Sequence, residues 1–103
     1  MKLDERVVSV KTRGLALTAF YSPVFTGNNE EEIEVVWDKI VEHKKWGKKN
    51  IFIGGGDFNA HVGGGEEIEG IKGKFGLWMS NNRGRELLRW CEEHDVAFVN
   101  SFF

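Results

Sequence analysis

Residues 51–59, Ile51-Phe52-Ile53-Gly54-Gly55-Gly56-Asp57-Phe58-Asn59, decide how this chain is read. Ile51 to Ile53 form a short unbroken apolar run, which predicts a strand buried on both faces, and the three glycines are expected to end it. Ligand sites of open α/β sheets gather where strands end, so Asp57 and Asn59 stand where chemistry is expected. If the backbone stays extended, their i, i+2 spacing points both side chains one way and turns Phe58 into the core. A carboxylate there can orient or deprotonate a water or help hold a hard divalent cation, and the carboxamide can donate to an anionic oxygen. The alternative is a plain Asx turn capping the strand.

Working outward, Ile33, Val36, Trp37, Ile40 and Val41 recur at a helical period. Asn28 or Asn29 is the expected cap, Glu30 to Glu32 suit the positive helix start, and Lys44, Lys45 and Gly47 suit its end. The acidic run is read as a helix start rather than a metal site. Upstream, residues 6–12 and 15–21 are β-branched and aromatic and flank Arg13-Gly14, which predicts a β-hairpin that leaves Tyr21 at a strand end before Pro23. Downstream, residues 57–82 are too long and glycine-punctuated for an ordinary connection and are read as a functional loop. A second helix is expected from Arg83 to His94, capped by Asn82, with Leu87, Leu88, Trp90 and Cys91 on its buried side. Residues 96–100, Val-Ala-Phe-Val-Asn, read as a last buried strand. Strand, strand, helix, strand, helix, strand is an α/β pattern that predicts helices layered on a sheet. With only four strands, a face or edge of that sheet is expected to lack a partner.

Composition narrows the partners. The 103 residues carry a formal charge of −2, so nucleic acid is not held by bulk charge. Basic residues thicken at Lys72, Lys74, Arg83, Arg85 and Arg89, where phosphate contact is expected near a helix start, Arg89 being better read as a solvated face. Trp78 could stack on a base. Cys91 is the single cysteine, which removes an internal disulfide and a cysteine zinc cage. No apolar run approaches the roughly 20 residues of a membrane helix, and Met1 to Arg6 lack a signal-peptide core, so an intracellular protein, nuclear or cytoplasmic, is expected. His61 extends the alternation of Asp57 and Asn59 but is read as a surface or hydrogen-bonding residue. An EF-hand loop from Asp57 fails at Val62 and Ile68, and a P-loop ending at Gly73-Lys74 fails at Ile68 and Phe75.

Four blocks in order, FYSP at 20–23, IGGGDFNAHVG at 53–63, GIKGKFG at 70–76 and NNRGRELLRWCEEHDVAFVNSFF at 81–103, resemble the endonuclease/exonuclease/phosphatase superfamily. The resemblance is greatest to endonuclease domains of non-LTR retrotransposons and the craniofacial-development-protein-like sequences derived from them. It implies Mg2+-dependent hydrolysis of DNA phosphodiesters on a two-sheet α/β sandwich. Asp57 would align the attacking water, Asn59 would hydrogen-bond the scissile phosphate, Tyr21 would touch that phosphate from the neighbouring strand, and Asp57 with Asn59 would be the residues near the metal. The family's domain is about twice this length. Its metal-ligating Glu and its acid/base His have no counterpart here, so residues 1–103 are expected to be a partial domain, inactive in isolation. The alternative is a catalytically dead remnant that serves as a packing or interaction module. Phe98, Val99, Phe102 and Phe103 are expected to stay bare where further strands would pack.

Overall fold

A computed structural model describes residues 1–76 and 80–102. The chain divides into two compact units, Met1–Asn59 and Ala60–Phe103. The first is a four-stranded sheet with one helix: β1 (Lys2–Asp4), β2 (Val7–Thr12), β3 (Leu15–Tyr21), α1 (Glu30–Trp46) and β4 (Ile51–Asp57), with the strands in the order β1-β2-β3-β4. The pairings β1–β2 and β2–β3 are antiparallel, and β3–β4 is parallel, with α1 as the crossover between them. The predicted hairpin is present, with Arg13 and Gly14 both at positive φ in its two-residue turn.

α1 spans the expected segment and buries Ile33, Val36, Trp37 and Ile40. On the sheet, Val7, Ser9, Ala16 and Thr18 are buried on one face, in keeping with the two-residue alternation of β-strands. The close approach of α1 to this face is visible at Gly47, where a β-carbon would meet the Ala16 methyl group at 2.5 Å. Asn29 is the α1 cap residue, but its side chain makes no cap bond; it accepts from the Thr26 amide and donates to the Val24 carbonyl, holding the preceding loop instead.

Two expectations need correction here, and one strand adds to them. β1 was not anticipated, because three residues give no readable period. β4 does not stop at the glycines but runs through them to Asp57. Nor is it buried on both faces: it is an edge strand, and Ile51 and Ile53 are 67% and 51% exposed. An unbroken apolar run has the same sequence whether its second face is covered or bare. Glycine is nevertheless required at position 56, where a β-carbon would overlap the Phe20 carbonyl and ring.

In the second unit, α2 covers Asn82–His94 and buries Leu87, Leu88, Trp90 and Cys91, as expected. Its cap is Asn81 rather than Asn82. The Asn81 side-chain oxygen accepts from the amides of Gly84, at 2.7 Å, and His61, at 3.1 Å, while the Asn81 amide donates to the His61 carbonyl. This clamp presses the helix against residue 61, and a β-carbon at Gly84 would collide with the His61 carbonyl. Residues 96–100 are not a strand. Only one bridge forms there, between Lys72 and Phe98, before Val99–Ser101 turn into a 3-10 helix. Ser101 explains the turn: its hydroxyl donates to the Phe98 carbonyl and accepts from the Gly73 amide, which ends any ladder. Val99 and Phe102 are exposed and Phe98 is half-buried, whereas Phe103 and Trp78 lie outside the described residues. Among the described residues, no helix is long and apolar enough to cross a membrane.

Candidate functional site

The parallel register sets Tyr21 opposite Asp57 at the carboxyl ends of β3 and β4. Residues paired across a ladder share a face, so both side chains lie on the face turned away from α1. Both are exposed, Tyr21 to 45%. The ladder is extended by the Ser22 amide, which donates to the Asp57 carbonyl at 2.7 Å.

Beyond Asp57 the extended backbone ends. Asn59 has φ 50, in the left-handed region that Asn tolerates better than most side chains, and its amide donates to Asp57 Oδ1 at 2.8 Å. The Asx turn considered from the sequence is therefore present, and the simple alternation expected through Asn59 is not. Asn59 Nδ2 instead donates to the Ser22 carbonyl at 2.6 Å, so the carboxamide is tied to the end of β3. Phe58 does enter the core, with its ring 4.4 Å from Phe20 and edge-on to Trp37 at 6.2 Å.

Two residues of this corner were missed from the sequence. Ser22 is fully buried and makes three hydrogen bonds that tie the corner together: its amide donates to the Asp57 carbonyl, its carbonyl accepts from Asn59 Nδ2, and its Oγ accepts from Trp37 Nε1 at 3.2 Å. Its place before Pro23 was the available signal. Arg6 was missed because only the fold brings it close. Its carbonyl accepts from the Tyr21 amide at 3.0 Å, its guanidinium lies 5.6 Å from the Tyr21 ring centroid, and it pairs with Glu32 at 3.0 Å.

Three of the basic residues of the second unit, Lys72, Arg83 and Arg85, are engaged internally, whereas Arg89 is exposed, as expected of a solvated face. Lys72, expected near phosphate, is 2% exposed, and its ammonium donates to the carbonyls of Glu66 and Gly73. Arg83 pairs with Glu86 at 2.8 Å, and Arg85 donates to the Ser80 carbonyl and to Asn82. Burial pushes the Cys91 thiol up to about 12, which makes it inert as a nucleophile at neutral pH.

A second polar cluster lies under α1. Asp4, His43, Ser9 and Thr18 form a relay: His43 Nε2 to Asp4 Oδ2 at 2.6 Å, His43 Nδ1 to Ser9 Oγ at 2.6 Å, and Ser9 Oγ to Thr18 Oγ1 at 2.5 Å. With the Nε2 proton given to Asp4, the Ser9 hydroxyl donates to Nδ1 and the Thr18 hydroxyl donates to Ser9, so each member is satisfied. The hydrogen bond to His43 holds the Asp4 carboxyl below its ordinary value; desolvation opposes this, and Lys2 and Lys39 add to it. A Ser-His-Asp composition invites comparison with a hydrolase, but His43 is 0% exposed and Ser9 is equally inaccessible. The relay joins β1, α1, β2 and β3 and is structural.

Among the described residues, no three or more His, Cys, Asp or Glu side chains converge to hold a metal ion. Asp57 offers a single carboxylate with one oxygen already taken by the Asn59 amide, which does not by itself fit a resident Mg2+.

No protein-family model matches the chain, and no solved structure matches it. It is 31% identical over 104 residues to craniofacial development protein 2 of Bos taurus, an alignment that covers 97% of this chain and 17% of that protein. It is 46% identical over 48 residues to craniofacial development protein 2 of Tragulus javanicus, covering 47% of this chain and 8% of that protein. The chain thus spans less than a fifth of the length of either relative. Over nearly its whole length it is homologous to a segment of craniofacial development protein 2.

Proposed function

We propose that this chain carries part of a DNA phosphodiesterase site of the endonuclease/exonuclease/phosphatase type and engages a backbone phosphate without cleaving it at an appreciable rate. The observation that supports this is the parallel register that sets Tyr21 beside Asp57 at the ends of β3 and β4, within the GDFN sequence of that superfamily. In this reading the exposed Tyr21 hydroxyl donates to a non-bridging phosphate oxygen. Asp57 accepts a proton of a nearby water and orients it, and its Asx turn fixes the carboxylate against the loop. The Asn59 carboxamide, tied to the Ser22 carbonyl, keeps a second N–H to offer an anionic oxygen. Mg2+ is the ion that the resemblance implies. A lone carboxylate leaves the ion underligated, which is why turnover is expected to be poor. Groups that act as a unit in catalysis lose orders of magnitude in rate when one is missing.

The bare apolar surface of β3 and β4, with Leu17, Ile51 and Ile53 exposed, favours a second reading as a packing module. Titration of the 15N-labelled chain with a short DNA duplex in Mg2+ separates the two. Amide shifts gathered at residues 21–22 and 56–59, with no more than trace plasmid nicking, are the expected result. Shifts spread over the apolar face alone would favour the second reading. Robust nicking abolished by Asp57→Ala would overturn the claim of inactivity.

A further inference from the structure

We propose that Arg6 is a phosphate-contacting residue of this same corner and takes a DNA backbone phosphate in exchange for Glu32; the inference rests on the reading above. Val7 pairs with Phe20, and the Tyr21 amide donates to the Arg6 carbonyl, so Arg6 falls one step further along the same antiparallel pair. Arg6, just before β2, thus lines up with Tyr21 of β3 and Asp57 of β4 at one end of the sheet. The guanidinium stands against the Tyr21 ring, the same side chain whose hydroxyl is proposed to meet phosphate.

Arg6 has φ 68 because it is the second residue of the two-residue turn that joins β1 to β2, where Asp4 pairs with Val7, and this turn sets the start of its side chain at the end of the sheet. Its carboxylate partner among the described residues, Glu32, lies in the first turn of α1, and both side chains are solvent-accessible. An exposed ion pair is weak and easily exchanged. A backbone phosphodiester presents two non-bridging oxygens that share one negative charge and match the guanidinium fork as a carboxylate does, and the dense charge of the duplex adds the release of condensed counterions, which Glu32 does not offer. Release from Glu32 frees the guanidinium fork, which already stands over the Tyr21 ring, to turn outward.

The test is fluorescence anisotropy of a labelled DNA duplex with the whole chain at a series of salt concentrations and constant Mg2+. Arg6→Gly removes the side chain and suits the left-handed backbone, so the fold is retained. It is expected to weaken binding about threefold to tenfold at low salt and to lower the slope of log affinity against log salt by about 0.9, the signature of one lost phosphate contact. Glu32→Gln leaves Arg6 in place and is expected to strengthen binding about twofold to fivefold. Arg6→Gly with unchanged affinity and slope overturns the proposal, and if Tyr21→Phe or Asn59→Ala still weakens binding the site reading survives it. Sensitivity to Arg6→Gly but to neither of those two variants keeps Arg6 as a phosphate contact and overturns the site reading. Absence of DNA binding by the unaltered chain overturns both.

Discussion

Replacing His43 with Leu tests the buried relay. Leu fills much of the imidazole volume beneath α1, so the main loss is polar: the buried Ser9 hydroxyl loses the Nδ1 partner at 2.6 Å and keeps only Thr18. Leaving a buried hydroxyl short of a partner costs about 1–3 kcal/mol, a sizeable share of the roughly 5–15 kcal/mol that holds a domain together. β1 also loses its tie to α1, so amide exchange in Lys2–Asp4 is expected to accelerate. Urea unfolding of His43→Leu, Ser9→Ala and the double variant gives the coupling directly, with about 0.5–3 kcal/mol expected for groups in one network. The relay carries a pH signature as well. Asp4 is held below its ordinary 3.8, so its contribution is complete above that value and is lost as pH falls through the folded value. The difference in Tm between the unaltered chain and Asp4→Asn is therefore expected to shrink below pH 3.8. Additive single variants, with His43→Leu as stable as the parent and no acid dependence of the Asp4→Asn difference, would refute the relay.

Gly84→Ala is expected to destabilise the second unit by about 1–3 kcal/mol, because a methyl group there meets the His61 carbonyl; Arg83→Ala beside it serves as the control, and thermal melts compare them. Cys91 is expected to resist iodoacetamide at pH 8 until denaturant is added, since its thiol is pushed up to about 12; fast labelling of the folded chain would contradict its burial. Ile53→Lys, on the bare face of the edge strand, is expected to change Tm little because the side chain is 51% exposed; a large loss of Tm would show that this face is covered in solution.

Local pattern made much of this molecule readable. The apolar stripe from Ile33 to Ile40 and the Arg13-Gly14 turn are short-range signals, and the structure follows them. Misreadings arose where the deciding partner is distant or absent. Val-Ala-Phe-Val has the composition of a strand, but Ser101 diverts it into a turn after a single bridge. The neighbouring Asn81 and Asn82 are equivalent caps by composition, and only the clamp on His61 distinguishes them. For the candidate site, Tyr21 and Asp57 were legible as strand ends and Ser22 was signalled only by its place before Pro23, whereas Arg6 joins them through contacts that no sequence spacing encodes. The relay from Asp4 to Thr18 draws on four separate elements and leaves no linear trace.

The parallel pairing of β3 with β4 also orders events in time. The hairpin of β2 and β3 closes between neighbours in the chain, and Tyr21 is in place as soon as it does. Asp57 joins only after α1 has crossed over and the long intervening segment has been gathered in, a closure opposed by chain entropy until the last contacts form. A chain emerging from the ribosome thus passes through an interval with Tyr21 on an unpaired strand edge and no second half to its site. The corner that the two strands build is therefore expected to form late in the first unit, and a partner that grips the bare β3 edge during that interval would compete directly with its formation.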